Sequence, residues 1–107
     1  MRNYRLNPNH TYNIPILHEI ANANTNMRMV GTAWSAPGWM KSGNENQTRK
    51  GLIGGTLNAK YFDTYAEYLS RIMTSFSIRG LPFDAITMQN EPAFSPSNYA
   101  SMLLSAD

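Results

Sequence analysis

"DAITMQNEP", residues 84–92, is the stretch whose reading decides the fold. Ile86 and Met88 alternate with Thr87 and Gln89, the period-two pattern of a strand with one face turned inward. Pro92 ends it, because proline cannot donate to a sheet ladder and biases the preceding residue toward extended backbone. Asn90 and Glu91 therefore fall just past the C-terminal end of a strand, where α/β folds place their chemistry.

Working backward, Gly80 is a helix stop. Before it, Tyr61, Phe62, Tyr65, Tyr68, Leu69, Ile72, Met73 and Phe76 form an apolar stripe at three- and four-residue spacing, which predicts a helix capped by Asn58. The preceding segment, "SAPGWMKSGNENQTRKGLIGGTLN" (35–58), is rich in Gly and Asn without periodicity, and reads as a long loop. "MRMVGTAW" (27–34) carries a second strand over Met27 to Ala33. Asn13 and Pro15 open a first short helix with Ile14, Leu17, Ile20 and Ala21 on one face. Forward of Pro92, Ser95-Pro96 reads as the cap and first position of a last helix holding Tyr99, Met102, Leu103 and Leu104. A strand, a crossover helix and a second strand make a βαβ unit with parallel strands. Two parallel strands close no sheet, and an all-parallel sheet needs its faces covered. The chain reads as a slice of something larger.

Composition narrows the function classes. At 107 residues with 42% hydrophobic and 15% charged side chains, this is globular material. The net charge of +2 comes from scattered basic residues, whereas phosphate affinity needs a concentrated patch, so no nucleic acid is expected as partner. The absence of cysteine removes disulfides, thiolate catalysis and sulfur-ligated metals. No apolar run approaches the ~20 residues of a membrane span. The first ten residues lack the apolar core of a secretory signal. Two sequons, at Asn9 and Asn46, point to a secreted parent protein, although sequons this short also arise by chance.

Two motifs can carry chemistry. A carboxyl group in a cleft at a strand end is a candidate general acid, and Glu91 occupies that position with Asn90 beside it to donate to a sugar hydroxyl or to orient the acid. The plainer alternative is a polar turn closing a strand. In "WSAPGWMK" (34–41), Trp34 and Trp39 bracket two helix-breaking residues directly after the first strand, near the same edge as Glu91. Such rings stack on the apolar faces of sugars and keep an indole N–H available; the plainer alternative is core packing. His10 and His18 have no spaced partner, so neither a metal nor a cofactor is expected, and His18 is expected to be exposed. Ser35 has no neighbouring histidine to activate it. "GLIGG" (51–55) lacks the Lys-Ser/Thr of a phosphate loop and reads as flexible loop.

Taken in order, "WSAPGWMKSG", "GGTLN", "YFDTYAEYLSRIM" and "AITMQNEP" resemble glycoside hydrolase family 30, retaining β-glycosidases that include glucosylceramidase and the fungal endo-β-1,6-glucanases. The likeness runs from about Tyr12 to Asp107. It implies an α/β fragment of a (β/α)8 TIM barrel over 1–107, with 1–11 unassigned, in which "MRMVGTAW" is the third barrel strand and "AITMQN" the fourth. It makes Glu91 the general acid/base, Asn90 and Trp34 contacts to the sugar at the cleavage subsite, and Trp39 a substrate-proximal residue. It implies a secreted parent acting on a β-linked glucan or another β-glycoside, without cofactor, and endo-β-1,6-glucanase before glucosylceramidase. The nucleophile of the family lies on the seventh strand, which this chain does not carry. Glu45, Asp63, Glu67 and Asp84 do not replace it, because they lie in the loop, along the helix, or at the wrong end of the strand. A barrel of this type takes ~250 residues, so the chain is expected to be a truncated piece, inactive alone. Two other readings compete: a βα module that only binds carbohydrate through Trp34 and Trp39, and an interaction fragment whose apolar faces lack their neighbours.

Overall fold

The computed structural model describes residues 13–43 and 51–105. Its elements run α1 (Ile14–Ala23), β1 (Val30–Thr32), β2 (Lys41–Ser42), β3 (Thr56–Leu57), α2 (Phe62–Ser77) and β4 (Ala85–Thr87). The sequons at Asn9 and Asn46, together with His10 and Glu45, lie outside the described residues.

β1 and β4 pair in parallel with Val30 opposite Ala85, Gly31 opposite Ile86 and Thr32 opposite Thr87. Because β4 follows β1 through α2, this is the expected βαβ unit. Both strands are shorter than their apolar patterns. At the N-terminal end of the pair, Asp84 bonds the Arg28 guanidinium at 2.7 Å and the Met29 N–H at 2.7 Å. Arg28 holds the Asp84 carboxyl below its usual range, first through that hydrogen bond. Asp84 therefore stands at the opposite end of β4 from Glu91, as the sequence implies.

α2 follows its apolar stripe, but Asn58 caps a short 3-10 turn over Ala59–Tyr61, accepting from the Lys60 N–H at 3.2 Å, and the α-helix proper begins at Phe62. Its C-terminal end is set at Gly80, whose φ of +76° lets the Leu81 N–H reach back to the Phe76 carbonyl at 3.1 Å. Tyr65 and Leu69 pack with Ala36, Met40 and Met102 into the central core. The other edge of the stripe is uncovered: Phe62, Ala66, Leu69 and Met73 line an apolar groove of about 520 Å³ together with Leu57, Ile86, Met88 and Leu104. This is why Met88, on the inward face of its strand by pattern, is 67% exposed. Asn13 makes no side-chain cap, and the apolar face of α1 is only partly covered: Ile14, Leu17 and Ala21 are half-buried, Ile20 is exposed, and no residue of the helix is fully buried. His18 is half-buried rather than exposed.

Two segments differ from their sequence reading. The long loop contains order: β2 and β3 pair antiparallel, Lys41 opposite Leu57 and Ser42 opposite Thr56, and Ile53 of "GLIGG" is buried. The last helix does not form. The amide hydrogens it would direct to carbonyls four residues back go elsewhere: Ser101 to Leu52 O, Leu103 to Gly55 O and Leu104 to Pro92 O, at 2.9–3.1 Å. Tertiary pairing of the backbone outweighs the local helical pattern, and the segment lies extended against β3, bridging Thr56 to Leu103.

Candidate active site

Beyond Thr32 and Thr87 the strand pairing continues for one more rung, the Asn90 N–H donating to the Ala33 carbonyl at 2.7 Å. Gln89, 8% exposed, fixes this junction through its amide nitrogen, which donates to the carbonyls of Trp34 and Asn90 at 3.0 Å each. The next residue, Glu91, has φ +45° and is the one non-glycine residue with positive φ among those described. A glutamate in the left-handed region is uncommon and carries local strain, a feature that clusters at functional sites. The backbone then turns back, with the Phe94 N–H on the Glu91 carbonyl at 2.9 Å.

Around the Glu91 carboxylate the contacts are polar and aromatic. The Tyr99 hydroxyl donates to Oε2 at 3.4 Å, and the Asn90 amide reaches the same oxygen at 3.5 Å. Both are long bonds that leave the carboxylate open to a third partner. Burial, and then the Glu91 charge and hydrogen bond, push the Tyr99 phenol above its usual value. The Tyr99 ring also meets Trp34 edge to face with centroids 5.5 Å apart, while Trp34 keeps 49% of its surface exposed. Trp34 is thus joined to Glu91 through Tyr99, and Asn90 reaches Glu91 directly, at the C-terminal edge of the parallel pair. A half-exposed indole beside an accessible carboxylate can stack a sugar ring while the acid addresses its glycosidic oxygen.

Trp39 belongs to a different contact set. It stands in the 3-10 turn Gly38–Met40, 57% exposed, with its ring edge to face on Tyr61 at 5.3 Å, and the Lys60 ammonium lies 4.8 Å over that tyrosine. No contact links it to Glu91 among the described residues. No three His, Cys, Asp or Glu side chains come together to hold a metal ion among the described residues.

Sequence reasoning passed over Tyr99, Gln89 and Lys41. The sequence places Tyr99 on a last helix with Met102, Leu103 and Leu104; the turn-forming run Ser95-Pro96-Ser97-Asn98 is the signal for a loop instead. Lys41 is 8% exposed and its ammonium donates to Ser35 Oγ (2.8 Å) and to the carbonyls of Leu52 (3.0 Å), Gly54 (2.7 Å) and Ser101 (3.1 Å). Burial pushes Lys41 down to about 8, and its four oxygen acceptors act in the opposite sense, favouring the charged form.

Comparison with known proteins gives these features a context. Residues 1–105 match the glycosyl hydrolase family 30 TIM-barrel domain. The endo-1,6-beta-D-glucanase BGN16.3 of Trichoderma harzianum is 33% identical over 110 residues, covering 97% of this chain and 22% of that protein. The putative glucosylceramidase 4 of Caenorhabditis elegans is 33% identical over 82 residues, covering 76% of this chain and 16% of that protein. Among solved structures, the endo-beta1,6-glucanase BT3312 superposes with a TM-score of 0.84 at 30% identity, covering 96% of this chain and 23% of its own. The chain spans about a fifth of the length of these relatives.

Proposed function

The chain belongs to glycosyl hydrolase family 30, and on that footing we propose that it supplies the acid/base half of a retaining β-glycosidase active site, with Glu91 as the general acid/base. The observation that carries this reading is the placement of Glu91, in strained backbone just past β4, beside a half-exposed Trp34 and the Tyr99 hydroxyl. Glu91 protonates the departing glycosidic oxygen while a carboxylate elsewhere in the barrel, on its seventh strand, attacks the anomeric carbon. The two carboxyl groups stand about 5–5.5 Å apart in such enzymes. Glu91, now deprotonated, takes a proton from the water that releases the glycosyl-enzyme. Trp34 stacks the sugar at the cleavage subsite, Asn90 donates to one of its hydroxyls, and Trp39 lies farther along the substrate. Asp63 and Glu67 sit on α2 and Asp84 is committed to Arg28, so none of them takes the nucleophile's part.

The substrate best supported is β-1,6-glucan, from the two endo-1,6-glucanase likenesses; glucosylceramide is the second, from the nematode relative. The parent protein then acts outside the cell, where such a glucan is met. The test uses the complete protein product of the gene. It hydrolyses β-1,6-glucan with retention at the anomeric carbon, followed by NMR of the first product. Glu91→Ala abolishes this, keeps the glycosylation step on an aryl glycoside with an acidic leaving group, and is rescued by azide as a glycosyl azide of retained configuration. An inactive wild-type product that still binds the glucan supports the carbohydrate-binding reading instead.

A further inference from the structure

Lys41 is the most thoroughly bonded buried group among the described residues, and the proposed chemistry does not use it. Its partner Ser35 directly follows Trp34, and its partner Ser101 lies two residues beyond Tyr99. The ammonium therefore joins the two segments whose rings meet beside Glu91. The Ser101 end of this tie is itself fixed. Its hydroxyl donates to the Pro96 carbonyl at 2.9 Å and accepts from the Gly54 N–H at 3.0 Å, and the residue is 3% exposed. The carbonyls of Leu52 and Gly54 complete the cage, so the same cation also ties down the segment just before β3. A serine 2.8 Å from a lysine also raises the possibility of a nucleophilic pair. The cage argues against it: an amine surrounded by four oxygen acceptors holds its protons, and Ser35 donates its own hydrogen to the Ala36 carbonyl at 2.9 Å.

We propose that Lys41 is a positioning residue of the site, holding the Trp34 and Tyr99 segments together around Glu91 from behind. The consequence for catalysis rests on the acid/base reading of Glu91; the consequence for ring placement does not. Lys41→Met keeps an unbranched stem of similar length and removes every donor. All four oxygens then lose the ammonium; Leu52 O keeps the Ser101 N–H and Ser35 Oγ its bond to Ala36 O, whereas the carbonyls of Gly54 and Ser101 lose the donor that ties them to Lys41, and the two segments can separate.

The experiment has two arms. In the first, the two indole N–H signals of the 107-residue chain are resolved by NMR and assigned with Trp39→Phe. Lys41→Met is expected to move the Trp34 signal to where Tyr99→Ala puts it and to leave that of Trp39 in place. Ser35→Ala, which removes one acceptor only, moves it part of the way. A Trp34 signal unchanged in Lys41→Met overturns the proposal. Should that variant not fold, an unchanged signal in Ser35→Ala overturns it. In the second arm the complete gene product is assayed on β-1,6-glucan. A misplacement near 1 Å costs about 100-fold in rate, so Lys41→Met loses kcat on this scale with KM held within about twofold. Loss through KM alone overturns positioning of the acid. If Glu91→Gln retains wild-type activity, the acid/base reading fails, and the Trp34 signal still decides the role of Lys41.

Discussion

Ser101→Ala tests how strongly the loops behind the site are held. The hydroxyl is a relay that donates to Pro96 O at 2.9 Å and accepts from Gly54 N at 3.0 Å, with a weaker contact to Ser95 Oγ at 3.3 Å. Alanine fits the space and leaves the backbone bonds to Lys41 and Leu52 in place, so the loss is confined to the relay. Two hydrogen bonds at about 1 kcal/mol each give a destabilisation of about 2 kcal/mol. With an m-value of about 1.5 kcal/mol/M, the urea midpoint of the chain falls by about 1.3 M while m stays constant. Ser97→Ala, at an exposed position, serves as control and stays within about 0.5 kcal/mol of wild type. A midpoint change for Ser101→Ala no larger than that of Ser97→Ala would refute the claim that this hydroxyl organises the loops.

Other substitutions probe the core, the helix and the sheet. Leu69→Ala removes a 7% exposed side chain from the central cluster and is expected to cost about 2–3 kcal/mol in urea unfolding, the low end for leucine because Leu69 also borders the open groove. Tyr65 is pushed up to about 12, chiefly by burial, so the native state keeps a proton that the unfolded chain releases above pH 10; stability falls between pH 10 and 12, and Tyr65→Phe flattens that fall in midpoint-against-pH curves. Asp84 has the reverse sign: held below its usual range by Arg28, it contributes stability above the unfolded carboxylate range that is lost as pH falls through the lower native value, and Asp84→Asn shows a smaller acid loss. Trp34→Ala weakens binding of a β-1,6-linked oligosaccharide to the complete gene product by more than Trp39→Ala does, measured by calorimetry, because Trp34 alone of the two is joined to Glu91 through Tyr99.

What the sequence disclosed, and what it withheld, follows from the range of the interactions. The pairing of β1 with β4 and the run of α2 are written in local apolar periodicity, and Gly80 marks the helix end because its backbone conformation excludes most side chains. Glu91 and Asn90 could be placed because a strand ended by Pro92 fixes which side of the sheet follows. The segment 95–104 could not be read this way. Its apolar spacing is helical, and only the acceptors offered by Leu52, Gly55 and Pro92 draw its amides out of a helix. Those partners lie as many as 49 residues away in the case of Ser101 and Leu52. Lys41 was hidden for the same reason: a lysine in a polar loop looks solvated until four oxygens from three segments surround it.

The two faces of this unit are therefore specified by different means. Along α2 and β4 the groove is lined by Leu, Phe, Met and Ile side chains, and apolar burial there is non-directional, tolerant of any neighbour with the right volume. Behind the candidate site, position is set by directional contacts: Gln89 to Trp34 O, Asn90 N to Ala33 O, Lys41 to Ser35 and Ser101, and Tyr65 Oη to Met88 O at 2.9 Å. A strained glutamate needs such surroundings, because left-handed backbone at a non-glycine residue persists only where neighbours over-determine it. Glu91 is bracketed on one side by Gln89 and Asn90, tied to the first strand's end, and on the other by Pro92, whose carbonyl accepts the Leu104 N–H. The segments that read as a loop and as a last helix in the sequence are thus the parts that surround Glu91, while the regular elements supply the edge from which it projects.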